Sequence, residues 1–98
     1  MLRFLLKISV EGLQHTDAQA LLSHFVRSER DQYGLSISEE TDRDSLPHPR
    51  QAVAHAETLI SIPFTEKETV RIHFNIFASQ FESEHPEEPN VFFRMESA

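Results

Sequence analysis

Apolar and polar residues alternate from the start of the chain. Leu2, Phe4, Leu6, Ile8 and Val10 fall on one side of an extended backbone, and Arg3, Lys7, Ser9 and Glu11 fall mostly on the other, because strand side chains point to opposite faces in turn. This predicts a first strand from about Leu2 to Gly12. The period then changes. Thr16-Asp17-Ala18-Gln19 has capping-box spacing, with Thr16 as the cap and Gln19 reaching back. Ala18, Leu21, Leu22, Phe25 and Val26 follow at i, i+3, i+4, i+7 and i+8, the stripe of a helix lying on a sheet. Arg27 and Arg30 suit its last turn, and Gly34 supplies a left-handed residue to end it.

Leu35-Ser36-Ile37-Ser38 reads as a short strand, and Glu39 to Arg50, with Pro47 and Pro49, as a loop. Gln51 to Glu57 admits two readings. Pro49 opens a helical turn through Ala52, Val53 and Ala56, or Ala52, Ala54, Ala56 and Thr58 extend the next strand; their unbroken parity with Ile60, Ile62 and Phe64 favours the strand. Ile60, Ile62 and Phe64 share one face, as do Val70, Ile72, Phe74 and Ile76, so Leu59 to Ala78 predicts a β-hairpin turning at Thr65-Glu66-Lys67-Glu68-Thr69. Phe81 to Asn90 reads as an acidic loop, and Val91 to Met95 as a last short strand.

The predicted order is β-α-β-β-β-β: an α+β two-layer sandwich, one amphipathic helix on a mixed or mainly antiparallel sheet of four to five strands. The order resembles half of a ferredoxin-like pattern, whose second helix would fall at Ser79 to Asn90, where the sequence has no apolar stripe. A single helix of about 15 residues is roughly 22 Å long and 10 Å wide, narrower than the face of four or five strands spaced about 4.8 Å apart. Either Glu39 to Ala56 folds back over the remainder or a second copy of the chain covers it. Leu5, Leu59, Phe77 and Phe92 are assigned to the outer sheet face, giving it more apolar character than a solvated face wants. A homodimer is the expected answer.

Ninety-eight residues supply one core, so residues 1–98 form a single α+β domain. The absence of cysteine excludes disulfides, thiolate metal sites and cysteine nucleophiles. The N-terminal run is broken by Arg3 and Lys7 and reads as a strand, not a signal peptide; no apolar stretch approaches the roughly 20 residues of a membrane span. A cytoplasmic protein is expected. Its net charge of −7 repels nucleic-acid phosphate and suits a basic protein surface.

Candidate chemistry is sparse. His55-Ala56-Glu57 and His73-Phe74-Asn75 each put two polar groups on one side of a strand, a spacing metals use. In the hairpin register, however, Phe64 faces Val70 and Ser61 faces His73. His55 then lies six residues further along, about 20 Å away, so no metal site is expected. His24 belongs at the edge of the helix–sheet packing. Asp44-Ser45-Leu46-Pro47-His48 holds a Ser, a His and an Asp in a loop, whereas triads are assembled across a fold by rigid elements. Gly12 and Gly34, the two glycines, cannot build a phosphate-cradling loop. No catalytic residue and no cofactor are assigned.

The function read from these features is a non-enzymatic protein-interaction module that binds, inhibits or chaperones a partner through acidic loops and the outer sheet face. The contact residues assigned to it are Glu39, Glu40, Asp42 and Asp44 in one loop, Glu82, Glu84, Glu87 and Glu88 in another, and Phe77 and Phe92 on the sheet. A second reading is a dimeric small-molecule binder or enzyme with an apolar pocket lined by Phe4, Phe25, Phe74 and Tyr33. A third is a subunit of a larger assembly, with open sheet edges at Leu35 to Ser38 or Val91 to Met95.

Overall fold

A computed structural model describes residues 1–11, 18–40, 53–87 and 90–98. Four strands and two long helices follow in the order β1 (Leu2–Glu11), α1 (Ala18–Tyr33), β2 (Ser38–Glu40), β3 (Val53–Ile62), α2 (Lys67–Glu84) and β4 (Asn90–Ser97). A 3₁₀ turn, Phe64–Glu66, leads into α2. The sheet order is β2-β3-β1-β4 and every neighbouring pair is antiparallel. β1 and β2 therefore run parallel with β3 between them, the split β-α-β arrangement of ferredoxin-like topologies. The α+β class and antiparallel sheet agree with the sequence pattern; a fifth strand is absent among the described residues.

β1 places Phe4, Leu6, Ile8 and Val10 in the core, all of them buried. In α1, Ala18, Leu22, Phe25 and Val26 are buried, with Leu21 packed beside them. Gly34 ends the helix at φ 63°, and its N–H reaches the Arg30 carbonyl. The Thr16 cap lies outside the described residues. The extended reading of the stretch before Ile60 holds from Val53 onward: Ala56, Thr58, Ile60 and Ile62 alternate inward. The buried Thr58 hydroxyl accepts a hydrogen bond from Gln19 Nε2 at 3.3 Å, which satisfies it within an apolar layer.

The hairpin after Leu59 is overturned. β3 stops at Ile62; Pro63 breaks the ladder, Phe64 is exposed, and the segment read as the second strand belongs to α2. Val70, Phe74, Ala78 and Phe81 form the buried stripe, while Ile72 and Ile76 are about half exposed. Phe81 to Glu84, assigned to a loop, form the last turn of the helix. The second strand is likewise shifted, to Ser38–Glu40, with Ile37 buried just before it.

This second helix also removes the reason given for an uncovered inner face. α1 lies over β3 and β1, and α2 lies towards β4. Between them the rings of Phe25, Phe74, Phe77 and Phe93 meet at centroid distances of 5.1 to 6.4 Å. Each such pair adds about 0.5–1.5 kcal/mol beyond its buried area. The inward aromatics are roofed by the chain's own helices, without help from a second copy.

Candidate functional site

The outer face of the sheet is the first candidate. Period-two alternation brings Leu5, Lys7 and Ser9 of β1 beside His55, Glu57 and Leu59 of β3, and beside Phe92, Arg94 and Glu96 of β4. Lys7 sits between two carboxylates, 2.9 Å from Glu96 Oε2 and 3.6 Å from Glu57 Oε1. The hydrogen bond to Glu96 is the main cause holding the Lys7 ammonium above its ordinary pKa, against opposition from burial, and the same bond holds the Glu96 carboxyl below its own. Arg3 reaches across β3 to Glu40 at 3.2 Å, and Arg94 meets Glu96 at 3.3 Å. Among the described side chains this face thus pairs Arg3, Lys7 and Arg94 with Glu40, Glu57 and Glu96, a balance of charge in a chain of net −7. Leu5 and Leu59 are half-buried there, and Phe92 is 55% exposed.

Within it lies a hydrogen-bonded series, Ser9–His55–Glu57. Glu57 Oε1 is 3.1 Å from His55 Nε2, and Ser9 Oγ is 2.8 Å from His55 Nδ1. An ionised carboxylate only accepts, so Nε2–H donates to Glu57, and in the neutral imidazole Nδ1 then accepts from the Ser9 hydroxyl. The sequence of groups is that of a hydrolytic triad. Acyl transfer also needs donors aimed at the developing oxyanion. Ser9 lies mid-strand between β3 and β4, where the ladder consumes the backbone N–H groups, and the cations beside it, Lys7 and Arg94, are paired with Glu57 and Glu96. The series ties β1 to β3.

The second candidate is a groove of about 290 Å³ between the helices. α1 and α2 run antiparallel, so Phe25 meets Phe77 while Glu29 and Tyr33, further along α1, meet His73. The Glu29 side chain is 3% exposed and accepts from His73 Nδ1 at 2.7 Å. Burial pushes its carboxyl above the ordinary carboxylate range, and the hydrogen bond to His73 opposes that shift. The Tyr33 ring lies against the His73 imidazole at 4.4 Å, and Gln32 and Gln80 add polar groups to the lining.

No protein-family model matches the chain, and neither does any curated protein or solved structure. Its fold and geometry therefore carry the reading.

The residues assigned to partner contact from sequence are dispersed. Phe92 is on the outer sheet face, but Phe77 is not: it sits on α2, packed against Phe25, Phe74 and Phe93. Glu40 faces outward beside Arg3, whereas Glu39 turns towards α1 and accepts from Ser23 Oγ at 3.3 Å. Glu82 and Glu84 occupy the exposed C-terminal turn of α2, and Glu87 follows it, exposed. Asp42, Asp44 and Glu88, with Ser45 and His48, lie outside the described residues. His55 and His73 are on opposite sides of the sheet, so the two histidine motifs do not converge; the register that placed Ser61 opposite His73 fails because His73 is helical. The pocket imagined among Phe4, Phe25, Phe74 and Tyr33 is displaced. Phe4 and Phe74 are buried in the core, and the concavity lies outside, with Phe25 and Tyr33 on its wall.

Sequence reasoning missed Glu29 as a site residue. The signal was present: Glu29 stands four residues after Phe25 and three after Val26, where continuation of the apolar stripe wants a leucine.

Proposed function

We propose that this chain is a non-enzymatic protein-interaction module. It pairs with a second copy through the outer sheet face and presents its helix layer, with the acidic end of α2, to a basic partner protein. The observation that carries the pairing is that the described side chains of the outer face match Arg3, Lys7 and Arg94 against Glu40, Glu57 and Glu96. Two copies of a −7 chain repel wherever their net charge meets, whereas a face whose cations and carboxylates alternate is complementary to its own two-fold image, as an isologous contact requires. Leu5, Leu59 and Phe92 supply the apolar contact, with Phe92 as the exposed aromatic anchor.

Among the described residues, pairing in this way leaves negative charge exposed on the helix side. Glu82, Glu84 and Glu87 gather at the C-terminal pole of α2, where the helix dipole is itself negative and stability favours cations; no basic residue lies in that turn. Charge placed against the dipole is accounted for by a partner of opposite sign. A cytoplasmic setting belongs to the same reading, which follows from the composition; no described helix is long and apolar enough to cross a membrane.

Sedimentation equilibrium tests the pairing. The wild-type chain is expected to run at twice its 11.3 kDa mass at high micromolar concentration. Phe92→Glu combined with Leu5→Glu, which adds like charges at the centre of the contact, should run as a folded monomer. A monomeric wild type would overturn the proposal.

A further inference from the structure

The groove between α1 and α2 has a composition that selects its occupant. Its lining includes the aromatic rings of Phe25, Tyr33 and Phe77, the imidazoles of His24 and His73 and the buried carboxylate of Glu29, and contains no lysine or arginine. Aromatic faces and a carboxylate attract a cation and repel an anion. A planar guanidinium can stack on a ring while its N–H groups address the carboxylate, whereas a compact ammonium pairs without stacking. The volume of about 290 Å³ suits one extended side chain, and a chain of net charge −7 attracts cations rather than repelling them.

Glu29 supplies an independent argument. It is the single buried charged side chain among the described residues, and it occupies a position in the apolar stripe of α1. An unpaired buried carboxylate is costly, and replacing a buried polar pair by well-packed apolar groups is often neutral or stabilising. Stability by itself does not call for an acid here.

We infer that this groove is a receptor site for an arginine side chain of a partner protein, with Glu29 as the anionic end and Tyr33 and Phe77 as stacking surfaces. His73 positions the carboxylate through Oε2, and the guanidinium addresses Oε1. The inference rests on the basic-partner half of the proposed function and is independent of the pairing through the sheet.

Titration of the full chain with N-acetyl-arginine methylamide and with a short arginine-containing peptide, followed by amide and aromatic NMR shifts, tests it. Saturable shifts are expected at Tyr33, His73 and Gln80, with the peptide at least as tight as the blocked amino acid. The citrulline counterpart, which keeps the shape and loses the charge, should bind at least about tenfold more weakly. Glu29→Leu should keep the folded spectrum and abolish the shifts; should that variant not fold, Glu29→Gln keeps the shape and is expected to weaken binding to the same extent as citrulline. Equal binding of citrulline, retained binding in the Glu29 variants, or no shift at millimolar arginine would overturn the inference. Because Phe92→Glu and Leu5→Glu both lie away from the groove, the monomeric double variant that still binds arginine separates this site from the sheet contact, and a silent groove in a chain that still pairs leaves the pairing standing.

Discussion

The imidazole of His73 donates from Nδ1 to Glu29 Oε2 over 2.7 Å and joins α2 to α1 above the core. His73→Ala leaves a buried carboxylate without that donor, which costs about 1–3 kcal/mol. The pH dependence follows from burial, which raises the Glu29 carboxyl above its unfolded value. A raised carboxyl means that the native state binds the proton more tightly, so stability falls as pH rises from the unfolded value through the native one. Removing His73 takes away an interaction that opposes this shift. The penalty of His73→Ala is therefore expected to be larger near neutral pH than in acid, where Glu29 is protonated. Urea melts of both chains across that range check it.

The helical reading of Lys67 to Glu84 makes an opposite claim to the hairpin, residue by residue. A strand would bury Val70, Ile72, Phe74 and Ile76 alike. The helix buries Val70 and Phe74 and leaves Ile72 and Ile76 about half exposed. Phe74→Ala is expected to cost about 3–5 kcal/mol, while Ile72→Ala should stay within about 0.5 kcal/mol. Comparable losses at both positions in chemical denaturation would restore the hairpin.

The same segment shows how far the sequence could be read. Isoleucines at 72 and 76, outside the buried stripe, completed a period of two with Val70 and Phe74 and imitated a strand. A longer rhythm of Val70, Phe74, Phe77, Ala78 and Phe81 was present beneath it and outlasted the alternation. β1, β4 and the stripe of α1 were legible because only one period fitted them. The outer-face neighbours of Lys7 were not, since register between strands distant in sequence is set by the whole sheet and not by local pattern. The Glu29–His73 pair required knowing that His73 is helical.

Lys7 and Glu96 make a neutral-pH contribution with a defined window. Glu96, held below its ordinary value mainly by the hydrogen bond from Lys7, stabilises the fold above the unfolded carboxyl value, about 4.3, and loses this as pH falls through its lower native value. Lys7, held above its ordinary value, stabilises below the unfolded lysine value, about 10.4, and loses this as pH rises through its higher native value. Glu96→Gln should lower stability at neutral pH, less so in high salt, and should have no effect in strong acid. Denaturation at those three conditions is the check.

Gly34 isolates a backbone effect. Its φ of 63° is left-handed, and a Cβ built there has no heavy atom within 4 Å. Gly34→Ala therefore meets no steric neighbour and pays only for the backbone conformation, about 1 kcal/mol. Thermal unfolding of this variant should show that loss without change in helix content by circular dichroism.

The acidic end of α2 tests a division between stability and binding. Glu82 and Glu84 oppose the dipole of the helix that carries them, so Glu82→Gln and Glu84→Gln are each expected to stabilise by about 0.3–1 kcal/mol at low ionic strength. Charge near a docking site acts mainly on the rate of encounter. The double variant should melt higher than wild type, while an arginine-containing peptide should associate with it more slowly, and the difference in rate should shrink as salt is added. A double variant that gains stability but keeps the wild-type association rate and salt dependence would leave these carboxylates with no part in recognition.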